Sequence, residues 1–205
     1  MLLWARKLYR LIMGSIFPLV YYFSPNQWIP LVILGILLIP TLLLEWARRK
    51  YPGFWPYITG ITAPKGKWYL KITKKIFKSK PGKVLGTTSF LMGTLLAILF
   101  FSKSIAICVL LFTVFGDAAS AVIGTRYGSI KLVGKKSLQG SLAFLVICLL
   151  IGFGLMNLPG MTLSFLLILL GALIATLVEL APFPLDDNLT VPLITGIIME
   201  IVKLV

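Results

Sequence analysis

No histidine occurs in this chain of 205 residues, and aspartate and glutamate together number only 6. The first absence removes imidazole as a general base and as a metal ligand. The second makes the position of every acid informative. Cysteine is almost missing too. Cys108 and Cys148 lie inside apolar runs without ligand-like neighbours and read as small packing residues, implying neither a disulfide nor a zinc site. Charged residues make up 13% of the chain, against about a quarter in soluble domains.

What fills the chain instead is hydrocarbon. It is 59% hydrophobic, with a mean hydropathy of +0.99, and long uncharged runs recur from end to end. This describes an all-α, polytopic membrane helix bundle, with residues 1–205 forming one integral-membrane domain and no separate soluble one. Spans of about 17–20 apolar residues are expected at roughly 11–27 (interrupted by Pro18), 29–46, 84–101, 104–124, 141–157, 161–180 and 189–205. The basic residues at the start precede a short apolar segment with no A-x-A-like cleavage site. An uncleaved first helix is therefore expected.

The formal net charge of +14 could suit nucleic acid, but its distribution favours a membrane. Basic residues concentrate near the N-terminus, in the loop 47–83 and in the loop after the fourth span, while Lys103 and Lys203 fall on the other side. Cytosolic loops retain Lys and Arg, so the N-terminus is expected in the cytosol and the C-terminus outside. Within the long loop, Lys71, Lys74, Lys75 and Lys78 follow helical spacing in "WYLKITKKIFKSK", with Tyr69, Ile72 and Ile76 on another side. That pattern predicts an amphipathic helix on an anionic membrane surface.

Five of the 6 acids fall at the same expected membrane face as the lysines: Glu45, Asp117, Glu179, Asp186 and Asp187. Glu200 alone lies toward the other face. Asp117 stands in "LLFTVFGDAASAVIGTRYG", beside a stripe of small residues at Gly116, Ser120, Gly124 and Gly128. Such a stripe lets membrane helices approach closely, but it does not explain a carboxylate that costs several kcal/mol in hydrocarbon. In "LAPFPLDDNLTVP", Pro182 and Pro184 stop the sixth span. Pro192 is expected in the first turn of the seventh, with Asn188 or Thr190 as its cap.

Between these acids, Gly134-Lys135-Lys136-Ser137 has the wrong spacing for a Walker A motif, and no strand is expected before it. A flexible glycine-rich loop carrying Arg126, Lys135, Lys136 and Ser137 still suits a polyphosphate. Hard carboxylate and amide oxygens suit Mg²⁺, which brings phosphates with it. The combination points to phosphoryl transfer at the membrane boundary, with Asp117 as metal ligand or base.

The stretches "FGDAASAVIGTRYG", "KKSLQGSLA" and "VELAPFPLDDNLTVPL" together closely resemble the dolichol kinase, phytol kinase and CTP-dependent diacylglycerol kinase family. The resemblance runs from about Lys83 to the C-terminus and more loosely over "LLLEWARRKYPG". It implies a Mg²⁺-dependent kinase that phosphorylates a lipid alcohol, with CTP as the favoured donor. It also implies active-site places for Asp117, Gly124, Gly128, Lys135, Lys136, Ser137, Glu179, Asp187 and Asn188. Of these, Asp117, Asp187 and Asn188 are the expected metal ligands. Gly124, Arg126, Gly128, Lys135, Lys136 and Ser137 are expected at the nucleotide, and Asp117, Lys135, Lys136 and Glu179 in catalysis. Two departures stand out: Gln139 replaces a frequent Glu, and the histidine common in the first helix is missing, with Arg10 nearby.

The expected partners are CTP, a membrane lipid alcohol and the anionic membrane surface, without nucleic acid, and a homodimer stays open. A phosphatidate cytidylyltransferase would share CTP, Mg²⁺ and the Asp and Lys-Lys motifs, but it attacks the α-phosphorus and is usually longer. A transporter would line a midplane pathway with its charges, whereas these acids gather at one face.

Overall fold

The structure, a computed structural model, describes residues 2–51 and 84–204. The amphipathic segment expected over 68–80, with most of the basic loop 47–83, lies outside the described residues. Along the rest run α1 (Leu2–Phe23), α2 (Trp28–Lys50), α3 (Gly86–Phe100), α4 (Lys103–Tyr127), β1 (Lys131–Val133), β2 (Lys136–Ser137), α5 (Leu138–Met156), α6 (Phe165–Leu180) and α7 (Asp187–Leu204). The all-α expectation holds, apart from the two-stranded hairpin.

Among the described residues, three helices, α2, α4 and α5, are long and apolar enough to cross a membrane. Leu11–Phe23, α3 and α6 are apolar but shorter. At about 1.5 Å per residue, a helix as short as α3 reaches roughly 22 Å, against about 30 Å of hydrocarbon. Pro18 does not interrupt α1, and Pro40 likewise sits inside a continuous α2. Proline is tolerated in apolar helices where neighbouring groups satisfy the carbonyl that it leaves without a donor.

α4 is the centre of the bundle. Every side chain from Ile105 to Leu110 is buried, as is Phe112, and α4 packs against α5, α1 and α7. Around it, α5 meets α6, α6 meets α7, α7 meets α3, and α3 meets α2. Large apolar side chains point outward, among them Val32, Ile36, Leu43, Val146, Leu150 and Leu177. Thr88, Thr94, Thr113, Ser141 and Thr195 are buried instead. Apolar side chains thus cover the outside as well as fill the core, unlike a soluble bundle, and small hydroxyl side chains lie within. This arrangement suits helices surrounded by hydrocarbon, where burying Leu gains nothing and small residues make the contacts.

The small-residue stripe on α4 does what its spacing suggests. The ring of Phe144 on α5 lies directly against Gly116. A Cβ placed at Gly140 would stand 3.0 Å from the Ser120 carbonyl oxygen and 3.3 Å from the Gly124 Cα. Close helix contact of this kind fixes where the start of α5, and the hairpin before it, meets the end of α4.

At the opposite end, the isolated acid has a structural partner. The Glu200 carboxylate accepts from the backbone N–H of Ser102, the residue preceding α4. Lys203 Nζ donates to Ser102 Oγ at 3.0 Å, and Lys103 Nζ to the Ser24 carbonyl at 2.9 Å.

Candidate functional site

The loop between α4 and α5 is an ordered hairpin, which corrects the expectation of a flexible glycine-rich loop. Lys131 pairs with Ser137 and Val133 with Lys136. Gly134 turns the chain with φ +55°, a conformation that costs glycine little and other residues more. Gln139 holds the approach to the hairpin, accepting from Ile130 N at 3.4 Å while its amide donates to Ser129 Oγ.

This geometry separates the basic residues that the sequence groups together. Lys135 is exposed at the hairpin turn. Lys136, the next residue, projects the other way. Its Nζ lies 3.1 Å from Asp187 Oδ2 and 3.4 Å from Glu179 Oε1, and it donates to the Glu179 backbone carbonyl as well. Arg126 is exposed in the last turn of α4, with its guanidinium carbon 5.3 Å from the centroid of the Tyr127 ring. Ser137 is buried, and its hydroxyl caps α5 by accepting from Gly140 N at 3.3 Å. Gly124 and Gly128 pack against this same hydroxyl. In the described structure, these three residues therefore build the joint between α4 and α5.

The acids arrive from three helices. Glu179 ends α6, where Pro182 and Pro184 follow, and Asp187 begins α7. Asp117 on α4 lies within electrostatic range of both. Asp187 precedes the span expected over 189–205. Burial raises its carboxyl above the usual carboxylate range, by more than the adjacent Lys136 ammonium lowers it. Glu179 is 5% exposed, and its Oε2 has no hydrogen-bond partner among the described residues.

The turn before α7 differs from the expected one. Asp186 is the cap: its Oδ1 accepts from Asn188 N at 3.0 Å and from Asn188 Nδ2 at 2.6 Å. Its carbonyl accepts from Leu189 N and Thr190 N. An aspartate can cap through its side chain and its backbone together, so α7 begins at Asp187. Pro192 consequently falls beyond the first turn. Asn188 is buried, with its amide turned toward Asp186.

Of two positions that the sequence left outside the site, one borders it and the other holds the residue beside that one. Gly86, at the start of α3, is open to a Cβ that would stand 3.9 Å from both Asp186 Oδ2 and Asn188 Nδ2. Glu45, buried on α2, accepts from the neighbouring Leu85 N at 3.3 Å. Glu45 was visible in the sequence as one of few acids. Gly86 gave no signal, because its place depends on how α3 crosses α7.

Among the described residues, no three acidic, Cys or His side chains converge to enclose a metal. Mg²⁺ does not require such a cage, since it is commonly held by one or two carboxylates together with phosphate and water. The hard oxygens of Asp187 and Asp117, and the unpartnered Glu179 Oε2, fit that donor chemistry.

The chain matches no protein-family profile, and no solved structure matches it. It is 29% identical over 190 residues to an uncharacterized protein of Rickettsia prowazekii, covering 92% of this chain and 88% of that one. It is also 29% identical over 198 residues to CTP-dependent diacylglycerol kinase 1 of Eremothecium gossypii, covering 85% of this chain and 58% of the relative. For the Saccharomyces cerevisiae protein of the same name, identity is 29% over 140 residues, covering 57% and 48%. The chain thus spans about half the length of the two named kinases.

Proposed function

We propose that this chain is a Mg²⁺-dependent kinase that moves the γ-phosphoryl group of CTP onto the hydroxyl of a membrane lipid alcohol. The distant similarity to CTP-dependent diacylglycerol kinases supports a lipid kinase in general. The observation that carries the finer reading is Lys136, whose ammonium joins Glu179 and Asp187 where apolar helices end, with Asp117 alongside. There a water-soluble nucleotide can meet a lipid head group. Phosphoryl transfer needs little covalent chemistry from a protein, but it does need positioning and charge stabilisation.

In this reading the lipid hydroxyl lies against Asp117, which accepts its proton as the oxygen bonds to the γ-phosphorus. The bond from that phosphorus to the bridging oxygen breaks, and CDP leaves. Lys136, oriented by Glu179, faces the transferring group. Lys135 and Arg126 reach the outer phosphates from the solvent side, and the Ser137 joint holds the hairpin in register. Asp187 and Asn188 would hold Mg²⁺, which when bound neutralises phosphate charge. The lipid class comprises polyprenols such as dolichol, phytol-like isoprenoids and diacylglycerol. We further propose that residues 1–205 form one catalytic domain with about seven spans, a cytosolic N-terminus and its site at the cytosolic face. The basic loops and outward apolar side chains support that topology.

The test follows the phosphorus. Purified protein is incubated with CTP labelled at either the α or the γ position and a panel of these alcohols, and the lipids are then extracted. Label from γ should enter the lipid, with CDP released and no pyrophosphate. Entry of α-label with pyrophosphate would make the chain a cytidylyltransferase, and movement of neither label would favour transport.

A further inference from the structure

Glu45 is a carboxylate that the proposed reaction does not use, and it is 6% exposed. One of its oxygens lies 2.5 Å from Arg48 Nη2 and 3.6 Å from Arg49 Nε. The other accepts from the backbone N–H of Leu85, 40 residues along the chain. A buried ion pair is weak evidence for stability, because desolvation offsets much of the attraction. The bond to Leu85 is the more telling contact. Leu85 precedes α3 and offers no side-chain cap of its own, and a buried N–H without an acceptor is costly. Glu45 supplies that acceptor from another helix, with a charge that favours a helix N-terminus.

What Leu85 leads to gives this contact its meaning. The next residue, Gly86, borders Asp186 and Asn188, and Asp186 caps the turn that carries Asp187. From Glu45 to Asp187 the connection therefore passes through Leu85–Gly86 and the Asp186 turn. We propose that Glu45 is a positioning residue: it seats the start of α3 against the α7 turn and so sets where Asp187 and Asn188 stand. Its effect on turnover rests on the kinase reading, whereas its effect on the α3–α7 contact does not.

The experiment compares Glu45→Gln, Glu45→Asp and Glu45→Ala with the unaltered full chain in lipid nanodiscs. Amide hydrogen exchange is read over residues 84–92 and 185–191, with 104–112 as a buried reference. Glu45→Gln keeps an oxygen of the right reach and should retain protection. Glu45→Ala should exchange about tenfold faster in both segments, the equivalent of one net hydrogen bond, with 104–112 unchanged. Glu45→Asp keeps the charge but draws the acceptor back by one methylene, so it should behave like Glu45→Ala. Should Glu45→Ala fail to insert, the contrast between Gln and Asp carries the test. In the γ-label assay, kcat should fall roughly tenfold or more in Glu45→Asp while the nucleotide KM changes little, as misplacement of reacting groups requires. Unchanged exchange at 84–92 in Glu45→Ala or Glu45→Asp would overturn the proposal. So would faster exchange at 84–92 with none at 185–191, which would leave Glu45 a local cap. The expected exchange pattern in a protein that transfers no label, unaltered chain included, would uphold the positioning role while sinking the kinase reading.

Discussion

Gly93 of α3 lies directly against the backbone carbonyl of Asn188 on α7, so closely that a Cβ at Gly93 would overlap the oxygen. Pro192, four residues after Asn188, has no N–H to offer that carbonyl. A bare glycine Cα packs onto it instead. A proline in one helix and a glycine in another thus jointly set how near α3 comes to the turn bearing Asp187.

Gly93→Ala should therefore push the two helices apart and destabilise the bundle by roughly 1–3 kcal/mol, as overpacking does. It should also lower the rate of γ-label transfer. Gly35→Ala is the control, since among the described residues nothing lies within 4 Å of a Cβ there. Thermal unfolding of both variants in detergent checks the difference. Equal midpoints would mean that α3 and α7 give way freely at this contact.

Lys136→Met should cost both stability and turnover, because it strips the cation from Glu179, whose side chain is only 7% exposed. Leaving such a polar group unsatisfied costs roughly 1–3 kcal/mol. Lys135→Ala should leave the melting curve close to that of the unaltered chain, since Lys135 is exposed, but raise the nucleotide KM. Melting curves and steady-state kinetics on the same preparations separate the two roles. Indistinguishable effects would contradict the opposite directions of these adjacent side chains.

Asp117→Asn and Asp187→Asn should each abolish label transfer while the protein still inserts and melts cooperatively, since charge is lost with little change of shape. Near-normal transfer by Asp117→Asn would remove it as base and ligand.

Substituted cysteines should report the topology. Cys108 and Cys148 are buried, so a background signal from them should be small. Lys135→Cys, exposed at the hairpin turn, should react with an impermeant maleimide only after cells are opened. Lys203→Cys should react in intact cells. The reverse pattern would invert the orientation.

Much of the site is legible in the order of residues alone. Rare acids in apolar sequence stand out, and Glu179 and Asp187 do meet at Lys136, with Asp117 within electrostatic range of both acids. The stripe from Gly116 to Gly128 is also legible, because contact between apolar helices is written in small residues at every fourth position. The cap of α7 is not. Asp186, Asn188 and Thr190 all have capping chemistry, and only the path of the turn chose Asp186. The flexible-loop expectation failed for a related reason: three glycines and several lysines read as a mobile segment, yet Gly134 serves one left-handed turn and Gln139 pins the rest.

By itself the sequence determined an all-α chain of apolar helices and the gathering of five acids toward one end. Hydropathy, proline positions and charge spacing act over one or two helical turns, so they survive any arrangement of the helices. Tertiary structure alone decided that Lys136 rather than Lys135 meets the acids, and that Asp187 is the partner it finds 51 residues away. It also decided that Glu45 holds the start of α3. Those choices depend on which helices cross and at what level, and a local pattern can mark a contact surface without naming its partner.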